Sequence, residues 1–543
     1  MDAIFDHVIV GAGSAGCVLA NRLSSDPSVR VLLIEAGPPD RNFWLKVPAG
    51  VPRVVNDPQI TWGYMTDPEP GLNGRRLQWP RGRTLGGSSS INGHVYMRGT
   101  RHDYDAWRDL GNPGWGWEDV LPYFKSTEGH HAGESPLHGA AGELGVSPVS
   151  DPHPASEAFI EAARANGIPR TDDFNGASQE GVGYLELMIR DGVRSSTATG
   201  FLRPAMGRPN LTVQTDALVE RVLLEGRRAV GVRFRAGGRL REVRGGEVIL
   251  CGGAINSPQL LMLSGIGPAE HLRSLGIEVA HALPGVGQNL HDHVYVHCLA
   301  RVAPQYSLNH VISSHLRMIP DVLRYVFLRK GLLTSAAAQV GLFMRTRDDL
   351  VTPDLQLQMR PFSMISRNGM YSAEPAPAIT ASCAILQPRS RGALSLKSAD
   401  PHEAPRMVAN YLTDPRDLPT LLAGIRLIRR IFATEPFASF FTGEDMPGEA
   451  VQSDDQLIEY LRNNAQSMYH PVGTCRMGPA QDPLSVVDAR LRVHGVEGLR
   501  VVDCSIMPVV PSGNTNAPAV MVAAKAADMI RQDASQQAAA TLA

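Results

Sequence analysis

Three glycines, Gly11, Gly13 and Gly16, stand between a run of strand formers and a run of helix formers. Phe5-Asp6-His7-Val8-Ile9-Val10 precedes them, and Ser14 and Ala15 lead into Cys17-Val18-Leu19-Ala20-Asn21-Arg22-Leu23. Gly11 suits the tight turn, Gly13 lets the backbone approach a pyrophosphate, and Gly16 packs the helix against the strand. A pyrophosphate then sits on the free N–H groups at the positive end of the helix. A second apolar run, Val31-Leu32-Leu33-Ile34, ends in Glu35 and Ala36, placing a carboxylate where it can accept hydrogen bonds from a ribose diol. A carboxylate there repels a 2′-phosphate, which favours FAD or NAD over NADP. Strand, turn, helix and acid in register predict a bound adenine dinucleotide, and with it electron-transfer chemistry.

The elements that must hold such a site are spread along the chain. At 543 residues the protein exceeds one core, so two large domains are expected. Apolar runs at Leu211-Thr212-Val213, Ala229-Val230-Gly231-Val232, Glu247-Val248-Ile249-Leu250 and Leu499-Arg500-Val501-Val502-Asp503 read as buried strands of one sheet. The middle mixes amphipathic helices with strands and carries no phosphate-binding turn. The fold class expected is mixed α/β: a Rossmann-like cofactor domain in discontinuous segments, 1–155, 208–300 and 466–535, with a substrate domain, 156–207 and 301–465, inserted. Residues from Asp533 on are Ala/Gln-rich, and 536–543 are expected to be a flexible tail.

Composition removes several other classes. A formal net charge of −2 and 20% charged residues offer no basic footprint for nucleic acid. No secretory signal and no apolar run of about 18 residues are present. The six cysteines are scattered without a CxxC pair, which predicts reduced thiols in the cytoplasm. His291, His293 and His297 are spaced as on one strand face, but no cysteine or extra acid joins them, so no metal is expected. Arg75, Arg76 and Arg81 read as a solvated or cofactor-side face. The helix His315 to Lys330 combines apolar residues with four basic ones. Such helices can lie on membranes, but the commoner arrangement, packing of the apolar face on the core, is the expectation.

Three further motifs carry a resemblance. They are Gly82-Arg83-Thr84-Leu85-Gly86-Gly87-Ser88-Ser89-Ser90-Ile91-Asn92, the run Gly253 to Gly267 beginning Gly-Ala-Ile-Asn-Ser-Pro-Gln, and Tyr469-His470-Pro471-Val472-Gly473-Thr474-Cys475-Arg476-Met477-Gly478, followed by Ser512 to Pro518. With the N-terminal turn, they make the chain resemble the glucose–methanol–choline oxidoreductases nearly end to end, with a layout similar to bacterial choline dehydrogenase-like and alcohol dehydrogenase members. The resemblance implies FAD. It places Gly86, Gly87 and Asn92, with Gly93, His94 and Val95, along the flavin, Val219 at the adenine, Asp503 and Asn516 near the ribityl chain and ring, and Trp62 near the cofactor. Ile91 stands where some members attach FAD through a histidine, which implies non-covalent FAD. His94 replaces a methionine common in relatives, and Gln339 stands where choline dehydrogenase-like sequences tend to carry glutamate.

Oxidising an alcohol removes a proton from oxygen and a hydride from carbon, and a histidine suits the proton. Pro471 steers His470 away from helix. The resemblance assigns His470 as general base and Asn514 as the group holding the alcohol oxygen, since an amide can donate to an alkoxide. Hydride would go to flavin N5. The implied reaction is oxidation of a primary alcohol to the aldehyde, with onward oxidation of the hydrate to the acid as a further step, and oxygen or a quinone as acceptor. The helix expected to begin near Ala517-Pro518 would aim its dipole at the flavin. Two alternatives share the fold: a flavin-dependent hydroxynitrile lyase, and a fatty-acid photodecarboxylase. The latter lacks the histidine at position 470 and carries a cysteine where this chain has Leu386.

Overall fold

A computed structural model describes residues 5–335, 338–367 and 370–542. Along the chain come β1 (Phe5–Val10), α1 (Ser14–Leu23), β2 (Val31–Ile34), β3 (Gly181–Tyr184), β4 (Leu211–Gln214), β5 (Ala217–Glu225), β6 (Arg228–Ala236), β7 (Arg239–Leu250) and α2 (Gly253–Leu263). They are followed by β8 (Val294–Val302), α3 (His315–Leu328), β9 (Val340–Met344), β10 (Leu355–Arg360), β11 (Ala378–Ile385), α4 (Leu418–Phe432), β12 (Phe441–Met446), β13 (Gln466–Ser467), β14 (Leu499–Val501) and α5 (Asn516–Leu542).

The first sheet gathers strands from both ends of the chain. β4, β2, β1, β7 and β14 lie side by side and all parallel, their apolar residues buried on both faces. β7 is long: its first half closes an antiparallel meander with β5 and β6, and its second half lies beside β1. α1 and α5 pack side by side, tied at their starts by the Asn516 amide donating to Ser14 Oγ at 2.9 Å. Pro518 occupies the third helical position of α5 rather than the first, still within the turn whose N–H groups need no helical partner. The backbone of α5 stays helical to Leu542, and Asp533 is paired with Arg490 and Arg500.

The second sheet is antiparallel, in the order β12-β8-β11-β10-β9-β3, with β13 also on β8. Alternation sorts its faces. Leu355, Leu357 and Met359 of β10 are buried toward α4, where Gly424 allows close approach: a Cβ there would lie 2.7 Å from Cys383 Cβ. Gln356, Gln358 and Arg360 therefore face the other way. Because β8 starts at Val294 and β13 at Gln466, residues 294–300 and 466–467 belong to this sheet and not to the cofactor domain. In the opposite direction, the turn Ala198–Leu202 packs on α1, with Asn21 donating to the Phe201 carbonyl. Strands and contacts thus run across the boundaries that apolar runs and the phosphate-binding turn suggest.

The segments around residues 98, 128, 138 and 173 enclose a buried ionic cluster. The Arg98 and Glu128 side chains are fully buried and paired at 2.5 Å, and His138 bridges Glu128 to Asp173. Burial would raise Glu128, but His138, Arg98 and the Gly139 N–H hold it below its ordinary range. Burial would likewise lower His138, but its bonds to Asp173 and Glu128 raise it to about 9.

α3 departs from expectation. Its apolar residues do not pack on the core: of the helix only Tyr325 is buried. Among the described residues, no helix is long and apolar enough to cross a membrane.

Candidate active site

A cavity of about 1770 Å³ runs from the Gly11–Ala15 turn and the C-terminal ends of β1, β2 and β7 to the second sheet and the inner side of α3. Drug-sized ligand sites measure about 300–1000 Å³, so this one has room for a dinucleotide and a second molecule. Every expected site residue lines it except Gly16 and Gly86. Those two shape the wall from behind. A Cβ at Gly16 would lie 1.9 Å from the Gly11 carbonyl oxygen, and Gly86, at φ +85°, donates its N–H to Ala12 O at 2.7 Å.

The expected cofactor end fits a dinucleotide. Gly13, Ser14 and Ala15 at the start of α1 and Asn516 and Ala519 at the start of α5 bring two helix N-termini to the wall. A Cβ at Gly87, φ +51°, would meet Gly13 Cα at 2.7 Å, so the loop can pass there only as glycine. Glu35 already accepts from the N–H of Ala12 at 2.8 Å and of Gly37 at 2.9 Å, leaving one further lone pair on each oxygen, and burial pushes it up to about 7. Asp503 is held by Gly253 N–H, Ser257 and Ser505, and Val219 lies in the wall near Ala217. Trp62 stacks on Tyr64 with the Arg83 guanidinium over its ring. Polar atoms without a protein partner project from this wall: both ring nitrogens of His94, and the amide oxygens of Asn514 and Asn516. Burial first, then the Arg194 charge, keeps His94 neutral.

His470 and Asn514, far apart in sequence, come together with His470 Nε2 3.2 Å from Asn514 Nδ2. The loop carrying His470 runs antiparallel to residues 291–293, with Met468 N–H on His293 O and Val472 paired with His291. Asp292 accepts the His470 N–H at 2.8 Å and the hydroxyls of Tyr411 and Ser467, and Arg81 donates to the Tyr469 carbonyl. His293 then lies against His470, Nδ1 to Nδ1 at 3.0 Å, with its own Nε2 3.0 Å from the Leu386 carbonyl.

These contacts fix the protons. A carbonyl only accepts, so His293 Nε2 carries hydrogen. Burial pulls His293 down to about 4, so it is neutral and its Nδ1 is a lone pair. That lone pair must accept from His470 Nδ1–H, which leaves His470 Nε2 as a lone pair facing Asn514. Burial first, then His293 and Arg81, hold His470 well below the usual histidine range. The arrangement can take a proton from a hydroxyl and hold the resulting oxygen by an amide N–H.

Sequence reading missed His293, Asp292 and Arg81 as members of this group. The histidines read as one strand face diverge: His291 bonds the Asn289 carbonyl and the Val510 N–H, while His297 sits on β8 beside Ser382. Among the described residues, His and carboxylate groups close enough to share a metal occur instead around Glu128, His130, His131, His138 and Glu186, where they hydrogen-bond to one another. Gln339 is not in the cavity wall; its amide oxygen accepts from His153 N–H and Ser156. The second sheet contributes Tyr295, His297, Ser382, Gln356, Gln358 and Arg360 to the wall of the same cavity. Both amide atoms of Gln356 and Gln358 Nε2 are buried there without a protein partner.

Comparison with known proteins agrees with this architecture. Residues 5–295 and 388–523 match the models of the GMC oxidoreductase family. The chain is 44% identical over 531 residues to an alcohol dehydrogenase [acceptor] of Pseudomonas putida, covering 97% of this chain and 96% of that one. It is 44% identical over 535 residues to the human mitochondrial choline dehydrogenase, covering 97% and 90%. An FAD-dependent oxidoreductase from Chaetomium thermophilum superposes with a TM-score of 0.89 at 28% identity, covering 97% of this chain and 99% of that one.

Proposed function

Because the chain belongs to the GMC oxidoreductase family, we propose that it is an FAD-dependent enzyme that oxidises an uncharged primary alcohol to the aldehyde. The observation that carries this reading is the His293–His470–Asn514 chain, which leaves one neutral imidazole nitrogen and one amide donor at the same point of the cavity. FAD, when bound, supplies the two-electron acceptor for the hydride of the alcohol carbon. His470 Nε2 takes the hydroxyl proton, and Asn514 Nδ2 donates to the oxygen as it becomes negative. His293 Nδ1 receives the His470 Nδ1–H throughout and steadies the imidazolium that forms. Asp292 and Arg81 hold the loop, so the ring need not reorganise. The side chain of Ile91 has no atom that could bond a flavin, which supports non-covalent FAD. Oxygen or a quinone then takes the electrons, and the rate of flavin reoxidation in air separates the two.

An uncharged substrate is favoured over a quaternary ammonium alcohol by the part of the wall that the second sheet builds. A quaternary ammonium calls for negative charge and aromatic faces. Among the described residues, the acids of the lining are Glu35, Asp57 and Asp503, none on the second sheet, whereas Arg360 is on it. The Gln356 amide offers instead a donor and an acceptor to a neutral polar group. The test is kcat/KM with an artificial acceptor across uncharged primary alcohols and choline. The expected result is that the best uncharged alcohol exceeds choline by about tenfold or more, the value of a lost favourable charge contact of about 1.4 kcal/mol; a preference for choline contradicts it.

The low pKa of His470 sets the pH profile. The neutral form is the competent base, and protonation begins only well below pH 6.5. kcat/KM is therefore expected to stay level from pH 6.5 upward on its acid side, and to fall only as the medium becomes clearly acidic. An acid limb with its midpoint at or above neutrality counts against His470 as the base.

A further inference from the structure

α3 carries apolar side chains on two sides. Met318, Val322 and Tyr325 point into the cavity and form part of its roof. On the outside, Leu316, Ile319, Leu323 and Phe327, spaced three and four apart, make a continuous stripe with Leu328 beside it, while Val326 joins the cavity-facing side. Leu316 is 79% exposed and Phe327 77%. An exposed apolar stripe of this kind, flanked by charged residues, marks an interaction site. Phe43, 56% exposed, and Trp44 line the same cavity and add aromatic surface.

The charges select the partner. Arg317, Arg324, Arg329 and Lys330 are exposed along and just after the helix, while Asp321 is its single acid. A second copy docked stripe to stripe would bring these cations together, which costs free energy. An anionic lipid surface takes the apolar stripe into its acyl boundary and the cations at its headgroups. The fourteen residues span about 21 Å at 1.5 Å per residue, short of the ~30 Å hydrocarbon core, so the helix lies along the surface and does not cross it. We propose that α3 seats this protein on anionic membranes, with the roof of the active-site cavity against the lipid. Lipid-dissolved molecules then have a short path to the cavity.

The test is vesicle flotation of the flavin-loaded protein with phosphatidylcholine alone and with phosphatidylcholine mixed with phosphatidylglycerol. It is paired with the variant Leu316→Glu/Leu323→Glu/Phe327→Glu, whose three positions are exposed and outside the cavity wall. The wild type is expected to float with the anionic vesicles about tenfold more than with neutral ones. Flotation should fall in about 1 M NaCl, where the Debye length is about 3 Å. The variant should stay behind while keeping its flavin and its turnover of a water-soluble alcohol. Wild type that ignores anionic vesicles, or a variant that floats as well as wild type, overturns the proposal. So does light scattering that shows a wild-type dimer dissolved by the same substitutions, which would give the stripe to a second copy.

Discussion

His470→Ala is expected to keep FAD and to lose alcohol oxidation by about 10²- to 10⁴-fold in kcat, the range of a positioned general base. The imidazole has one lone pair directed at the reacting point, and its other nitrogen is committed to His293. Its hydrogen-bond neighbour there, Asn514, can donate but not take up a proton at neutral pH. The His470 ring lines the cavity at the end away from the Gly11–Ala15 turn, so flavin content should stay near wild type, while the loss of the His293 contact should lower the melting temperature modestly. His470→Gln separates the roles further, because glutamine can keep the hydrogen bond to Asn514 but cannot accept the proton. Near-normal turnover in either variant would remove the assignment.

Glu128→Ala is expected to destabilise the protein by about 3–5 kcal/mol, the effect of leaving a buried charge without its partner. Arg98 has no exposed side-chain surface, and its other partners are the Leu137 carbonyl, Tyr96 and His138, none of which carries a lasting negative charge. The double variant Arg98→Met/Glu128→Leu should recover much of the loss, because replacing a buried pair by apolar groups of similar size is often close to neutral. The same cluster gives wild type a pH dependence. His138 is raised in the folded state from 6.5 to about 9, so its contribution is complete below pH 6.5 and is lost as pH rises through 9. Thermal melts from pH 6.5 to 9.5 should therefore fall for wild type and show a flatter alkaline slope for Glu128→Ala. An unchanged melting temperature for Glu128→Ala at pH 7 contradicts this account.

The tight glycine turn after β1 and the placing of Glu35 at the end of β2 were legible because their requirements are local. Gly11, Gly13, Gly16 and Glu35 lie within one strand–helix–strand unit, and each meets a constraint set by its near neighbours. The pairing of His470 with Asn514 was reached only through family resemblance, since nothing in their spacing brings a pair 44 residues apart to 3.2 Å. His293 stayed hidden because its role depends on a loop 177 residues further along the chain. The partners of Gln339, His153 and Ser156, lie equally far away in the chain. Distance along the chain also blurred the domain boundary at β8, a single strand that crosses the expected division. The apolar period of α3 was visible in sequence, but periodicity reports that a face is apolar and not what covers it. Near the C-terminus, Arg490 and Arg500 pair with Asp533, contacts that the Ala/Gln-rich composition does not announce.

The most direct test of the account is anaerobic mixing of the flavin-loaded protein with a saturating primary alcohol, followed by absorbance in a single turnover, for wild type and for His470→Ala. The account predicts complete bleaching of the flavin bands in wild type, and bleaching slowed by at least about a hundredfold in the variant. A flavin-loaded wild type that no primary alcohol bleaches, or a variant that bleaches at the wild-type rate, would contradict it.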